Sequence, residues 1–212
     1  MAHGNSYPAA LFRRQDESDD RLFYSMPRLV VHVDEPAIKA ITGYLTAELP
    51  GNGAVLDLMS SWRSHLPTVV PFSAVTGVGL NVTELAENPQ LTKRLVHDVN
   101  QDPRLPLPDA SFDAAMITVS IQYITQPVAL FRDVARVLKP DASLSVIYSN
   151  RMFPTKAVAV WHALDMDQRS ELIASYFVNS GAWGTAEFAD ISPSPFGESD
   201  PVRVVSARRK AV

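Results

Sequence analysis

The chain has 212 residues, 46% hydrophobic and 20% charged, with a formal net charge of −4. That composition describes one globular domain with a sizeable core and excludes a largely disordered chain. The acidic balance argues against nucleic acid as a partner, and the lack of cysteine excludes disulfides, thiolate metal sites and a cysteine nucleophile. No apolar run reaches the roughly 18 residues that span a bilayer, so no membrane partner is expected. Met1 to Ala10 has no apolar signal core, and a cytoplasmic location is the expectation.

Residues 1–21 read as a poorly ordered tail, because Arg13 to Asp20 is charged with mixed sign and has no apolar period. Residues 22–212 read as a single domain. Within it, residues 22–53 form an N-terminal lid and helix. Leu22 to Val33 is apolar enough to pack on the domain, and Pro36 opens a helix capped by Asp34 or Glu35. Ile38, Ile41, Leu45 and Leu49 recur at helical spacing until Pro50-Gly51-Asn52-Gly53 stops them.

Ala54 to Leu58 reads as a buried strand, and Ala74 to Leu80 as a second. Asn81 then caps a short helix, with Glu84 three residues on as in a capping box. Leu95 to His97 and Ala114 to Ser120 give a third and a fourth strand. Pro127 to Leu138 is a strongly amphipathic helix, and Ser143 to Ser149 a fifth strand. Helical stretches near Lys156–Leu164 and Asp167–Phe177 precede late strands near Ala186–Ile191 and Val202–Ala207. Strands alternating with helices imply parallel βαβ units, that is, an α/β, Rossmann-like doubly wound sheet of about seven strands. The late pair is joined by the breaker-rich stretch from Ser192 to Pro201, which predicts antiparallel neighbours.

Several segments resemble class I S-adenosylmethionine-dependent methyltransferases, particularly their type 11 branch. Val55-Leu56-Asp57-Leu58 resembles the first strand and its acid. Leu105-Pro106-Leu107-Pro108-Asp109-Ala110-Ser111-Phe112-Asp113 resembles the stretch before the fourth strand, and Val137-Leu138-Lys139-Pro140 the helix end before the fifth. Ser60-Ser61-Trp62-Arg63-Ser64-His65-Leu66-Pro67 resembles a subgroup with SSWxSHLP in place of the glycine loop. The family's ribose-binding acid at the end of the second strand is here Gly79.

The resemblance implies S-adenosyl-L-methionine as cofactor and a small molecule as methyl acceptor. It implies that Asp57 lies near the amino acid tail and that Met59, Ser60 and Ser61 form the cofactor loop. Asn81 is expected to reach a ribose hydroxyl, Asp98 and Val99 to hold the adenine, and Ser120 to line the methionine end. The small acceptor would meet Tyr24, Arg28, Gln122, Tyr123, Asn150 and Arg151, with residues 151–190 helping to build its pocket. His32 and His65 are the candidate catalytic bases, since methyl transfer needs a base only when the acceptor arrives protonated. No metal ligand spacing is present. Two other readings stand beside this one. A non-catalytic cofactor-binding or structural protein could retain the fold. A nicotinamide-dependent oxidoreductase is disfavoured because Leu58 to Leu66 contains no glycine.

Overall fold

The computed structural model describes residues 7–194 and 197–211. Seven strands form one sheet: β1 (Ala54–Leu58), β2 (Ala74–Gly79), β3 (Lys93–Val96), β4 (Phe112–Thr118), β5 (Leu138–Ser149), β6 (Glu187–Asp190) and β7 (Val202–Arg208). The helices are α1 (Asp20–Phe23), α2 (Glu35–Glu48), α3 (Val82–Glu87), α4 (Pro127–Val137), α5 (Ala159–Ala163) and α6 (Met166–Ser180). The strand order is β3-β2-β1-β4-β5-β7-β6. Pairing is parallel from β3 through β5, and β7 runs antiparallel to both β5 and β6. The order reverses between β1 and β4, so the crevice outside their carboxyl ends is where this architecture places ligands.

Alternation along β1 explains the two-sided core. Val55 packs with Ala37, Ile41 and Leu45 of α2. Leu56 and Leu58 face the other way, with Leu130, Phe131 and Val134 of α4. Helix α2 starts where Asp34 Oδ1 accepts from the Ala37 N–H at 2.9 Å, with Pro36 in its first turn. Helix α6 has a complete capping box from Asp165 and Gln168 and ends at left-handed Gly181.

The structure departs from the sequence reading in two places. Residues 7–20 are packed rather than poorly ordered; residues 1–6 lie outside the described residues. Phe12 is buried, and Arg14 Nη1 meets both carboxylate oxygens of Asp20 at 2.8 Å. Lys156, with 0% exposure, carries the rest of the attachment. Its Nζ lies 3.1 Å from Asp20 Oδ1 and 3.3 Å from Asp16 Oδ2, and donates to the Ser18 carbonyl at 2.7 Å. The mixed charges that read as solvated have a buried partner more than a hundred residues away, which no local period can reveal.

The β1–β2 connection, residues 59–73, contains no helix. Left-handed Met59 and His65, with φ of 56° each, and two prolines turn it irregularly instead. The second departure is that most of residues 151–190 serves the core. Trp161, Tyr176, Phe177 and Trp183 are buried in the cluster that packs α4 and α6 against the sheet, and Phe188 is exposed on β6. Only Arg151, Met152 and Phe153 of that region reach the crevice.

Candidate active site

The carboxyl ends of β1 to β4 open onto one cavity of about 250 Å³, roofed by residues 24–33. Its floor is the loop after β1. Asp57 is only 2% exposed, and its Oδ2 accepts from the Ser60 and Ser64 hydroxyls, both at 2.6 Å. Asn88 Nδ2 donates to Ser64 Oγ at 2.9 Å and to the Ser61 carbonyl at 2.8 Å. The Ser61 hydroxyl donates to Glu84 Oε2 at 2.6 Å. The loop is therefore shaped by side-chain hydrogen bonds where glycines would shape it by freedom of φ.

Two points follow. The Ser60 and Ser61 hydroxyls donate within the protein, to Asp57 and Glu84, while both residues line the cavity. Gly79 is glycine for a packing reason: a Cβ there would lie 2.3 Å from the Ser60 carbonyl oxygen. No acidic side chain fits at that position while the serine loop is in place.

Burial pushes the Asp57 carboxyl up to about 6, against the pull of its two hydroxyl donors. The folded state thus holds this proton more tightly than the unfolded chain. Its contribution to stability is full below about pH 4 and is lost as pH rises through about 6. The stability of Asp57→Asn minus that of the parent should therefore grow by roughly 2–3 kcal/mol between pH 4 and pH 7. Denaturant titrations at the two pH values measure it. A constant difference would mean that Asp57 titrates as a solvated acid.

At the end of β3, Asp98 Oδ1 accepts from the Asn100 N–H at 2.9 Å and the Gln101 N–H at 3.3 Å. Its Oδ2 is buried without a partner. At the end of β4, Thr118 Oγ1 and Ser120 Oγ are buried without partners as well. All three residues line the cavity, as does Val99, which is 5% exposed. Between Thr118 and Ser120, the β-branched Val119 sits at φ 52°, a strained left-handed position. Strands β1 and β4 therefore both leave the sheet through a left-handed residue, Met59 and Val119, and the cavity opens between them.

Asn81 does cap α3: its Oδ1 accepts from Thr83 and Glu84 at 2.9 and 3.0 Å. Its Nδ2 donates to the Tyr24 carbonyl at 2.8 Å, so both ends of the amide are engaged. The Glu84 side chain does not complete a capping box. It turns to Ser61 and to the Arg28 N–H, 2.7 Å from Oε1. Trp62 Nε1 donates to the Val30 carbonyl at 2.9 Å. These three contacts, from Asn81, Glu84 and Trp62, fasten the roof to the floor.

Of the acceptor-side candidates, Tyr24, Arg28, Tyr123 and Arg151 line the cavity, whereas Gln122 and Asn150 do not. Gln122 is buried, with Nε2 donating to the Val119 carbonyl at 3.1 Å and the Arg151 carbonyl at 3.2 Å. The tight turn of residues 121–123 rotates Gln122 inward while Tyr123 faces the cavity. Asn150 is exposed at the end of β5. The Tyr123 hydroxyl accepts from the Phe153 N–H at 2.7 Å, and burial raises the phenols of Tyr123 and Tyr24.

Both candidate histidines reach the cavity. Burial, then the Arg63 charge, lowers His65 to about 4, so it is neutral at physiological pH and a weak base. His32 is exposed at the mouth, its ring edge-on to Phe153 at 5.2 Å. Sequence reasoning missed Ser64, Asn88 and the second role of Glu84. Ser64 lay within the quoted loop motif, seven residues from Asp57, and only the folded loop brings the two together. Among the described residues no group of three or more His, Asp or Glu side chains is placed to hold a metal ion, and no helix is long and apolar enough to cross a membrane.

Residues 50–146 match the family described as a methyltransferase domain. No curated protein shows significant similarity to the chain. Among solved structures, an S-adenosylmethionine-dependent methyltransferase from Mesorhizobium loti superposes with a TM-score of 0.53 at 19% identity, over 80% of this chain and 98% of its own. A Haemonchus contortus phosphoethanolamine N-methyltransferase bound to S-adenosylmethionine gives 0.55 at 14%, over 82% of this chain and 52% of its own. The [4+2]-cyclase SpnF gives 0.59 at 15%, over 83% of this chain and 82% of its own. The fold is thus the Rossmann-like methyltransferase fold. The methyltransferase domain match spans β1 to β5, the part of the sheet that carries the crevice.

Proposed function

We propose that this chain transfers the methyl group of S-adenosylmethionine to a small-molecule acceptor in the cytoplasm, and that it belongs to the subgroup whose glycine loop is replaced by SSWxSHLP. The observation that carries this reading is the set of orphaned polar atoms at the strand ends: Asp98 Oδ2, Thr118 Oγ1 and Ser120 Oγ. A buried polar atom without a partner costs about 1–3 kcal/mol. Three around one cavity fit a polar ligand that pairs with them.

Asp98, with Val99 beside it, is the group for the adenine amino end, and Ser120 and the free Oδ1 side of Asp57 serve the zwitterionic tail. Asn81 holds the roof rather than a ribose. When bound, the cofactor supplies an electrophilic methyl on a sulfonium. The chain's own contribution is alignment and exclusion of water by the roof over Tyr24, Tyr123 and Phe153. His65 stays neutral and can accept a proton only from an acidic acceptor.

Calorimetric titration with S-adenosylhomocysteine tests the reading. Micromolar binding is expected, about −8 kcal/mol. Asp98→Ala should weaken it about tenfold, the loss of one charge-assisted hydrogen bond. Equal affinity in that variant would put the adenine elsewhere. A second reading, a non-catalytic protein on the same fold, is favoured by the occupied hydroxyls of Ser60 and Ser61. Tight binding with no turnover across an acceptor panel would select it.

A further inference from the structure

The acceptor side of the cavity is aromatic. Tyr123 and Phe153 stack with centroids 5.9 Å apart and planes at 26°. Tyr24 meets Phe153 at 6.4 Å and His32 meets it at 5.2 Å. The Arg28 guanidinium is inserted among these rings. Its central carbon lies 4.5 Å from the Phe23 centroid, 5.3 Å from that of Phe153 and 5.6 Å from that of Tyr24. Nη2 donates to the Phe23 carbonyl at 2.9 Å, and Nη1 is buried with no hydrogen-bond partner.

Among the described residues no carboxylate pairs with this guanidinium. Glu84, the nearest acid it touches, bonds the Arg28 main-chain N–H instead. The other arginines on the wall differ. Arg151 is paired with Asp200 at 2.7 Å, and Arg63 is exposed over the Trp62 ring at 4.3 Å. Arg28 is thus the half-buried arginine of the cavity whose Nη1 is buried without a partner and whose guanidinium pairs with no acid among the described residues.

Aromatic faces hold a guanidinium flat without neutralising it. The rings also exclude water, so the remaining charge acts through a low dielectric. An anion reaching Nη1 would supply the missing acceptor and form a charge-assisted bond. We propose that Arg28 is the specificity determinant for an anionic acceptor: a small aromatic or apolar molecule that carries a carboxylate or a phosphate. This inference rests on the methyltransferase reading above and adds the class of its acceptor.

The test titrates S-adenosylhomocysteine-saturated protein with matched pairs: benzoate and benzamide, 3-phenylpropanoate and its amide, indole-3-acetate and its amide, phenyl phosphate and phenol. The anion should bind at least about tenfold more tightly in one or more pairs. The amide pairs report carboxylate recognition, and the phosphate pair reports phosphate. R28M should abolish the preference, R28K should keep part of it, and both should bind S-adenosylhomocysteine within about twofold of the parent. No preference in any pair overturns the proposal. So does a tenfold loss of S-adenosylhomocysteine affinity in R28M, which would assign Arg28 to the cofactor tail. If S-adenosylhomocysteine fails to bind the parent, the methyltransferase reading falls, and the same pairs titrated on the free protein still decide whether Arg28 selects anions.

Discussion

Replacing Lys156 by alanine should lower the unfolding free energy by about 3 kcal/mol, the low end of the range for stranding buried charge. The lysine is fully buried and serves Asp16, Asp20 and the Ser18 carbonyl together. Without it, Asp20, itself 4% exposed, keeps Arg14 and the Asn100 amide, while Asp16 loses its cation. Arg14 is the reason for expecting the low end. For a chain of this length the midpoint of thermal unfolding should fall by roughly 10 °C. Lys156→Met should behave alike, because restoring apolar volume leaves Asp16 without its cation and the Ser18 carbonyl without its donor. The segment should also detach before the domain melts, so trypsin should cut sooner at Arg13 and Arg14. A thermal shift under about 2 °C would show that the remaining bonds hold the segment without the lysine.

Gly79→Ala is the second substitution with a large expected effect. The added Cβ would lie 2.3 Å from the Ser60 carbonyl oxygen and 3.2 Å from Leu85 Cδ2. The first neighbour is backbone and cannot swing away. Relief requires moving the loop after β1, which breaks the Ser60 N–H bond to the Val78 carbonyl and loosens both hydroxyl bonds to Asp57. A loss of about 3 kcal/mol, the upper end for overpacking, is expected. S-adenosylhomocysteine binding should weaken more than in Asp98→Ala, because the whole floor shifts rather than one contact. Gly43→Ala is the matched control. It lies inside α2 with nothing within 4 Å of the added carbon, and should stabilise by about 0.5–1 kcal/mol. Equal thermal midpoints for the two variants would refute the packing explanation of Gly79.

The centre of the sheet was readable because β1, β2 and β4 are short, largely apolar runs, and α4 because its apolar face repeats cleanly. The antiparallel β6–β7 pair followed from the proline-rich stretch between the two strands. What escaped were features set by contacts distant in sequence. Residues 7–20 carry no period, and their order depends on Lys156. The irregular course between β1 and β2 follows from a loop whose hydrogen bonds reach into α3 and the segment after it. At the site, strand-end position brings Asp98, Val99, Ser120 and Tyr123 to the cavity wall. It failed for Gln122, where a single turn of tight helix changes which neighbour faces inward. Ser60 and Ser61 line the cavity too, with their hydroxyls turned to Asp57 and Glu84.

The way the floor is built also restricts how such a chain can change. A glycine loop tolerates drift because it depends on the absence of side chains. Here the conformation is written jointly in Asp57, Ser60, Ser64 and Asn88. Exchanging either serine for glycine alone removes one of two donors from a dehydrated carboxylate, and larger residues at 79 collide with the main chain that those donors hold in place. The positions are epistatic: a return to an ordinary glycine turn would need several concerted exchanges, each of them deleterious by itself.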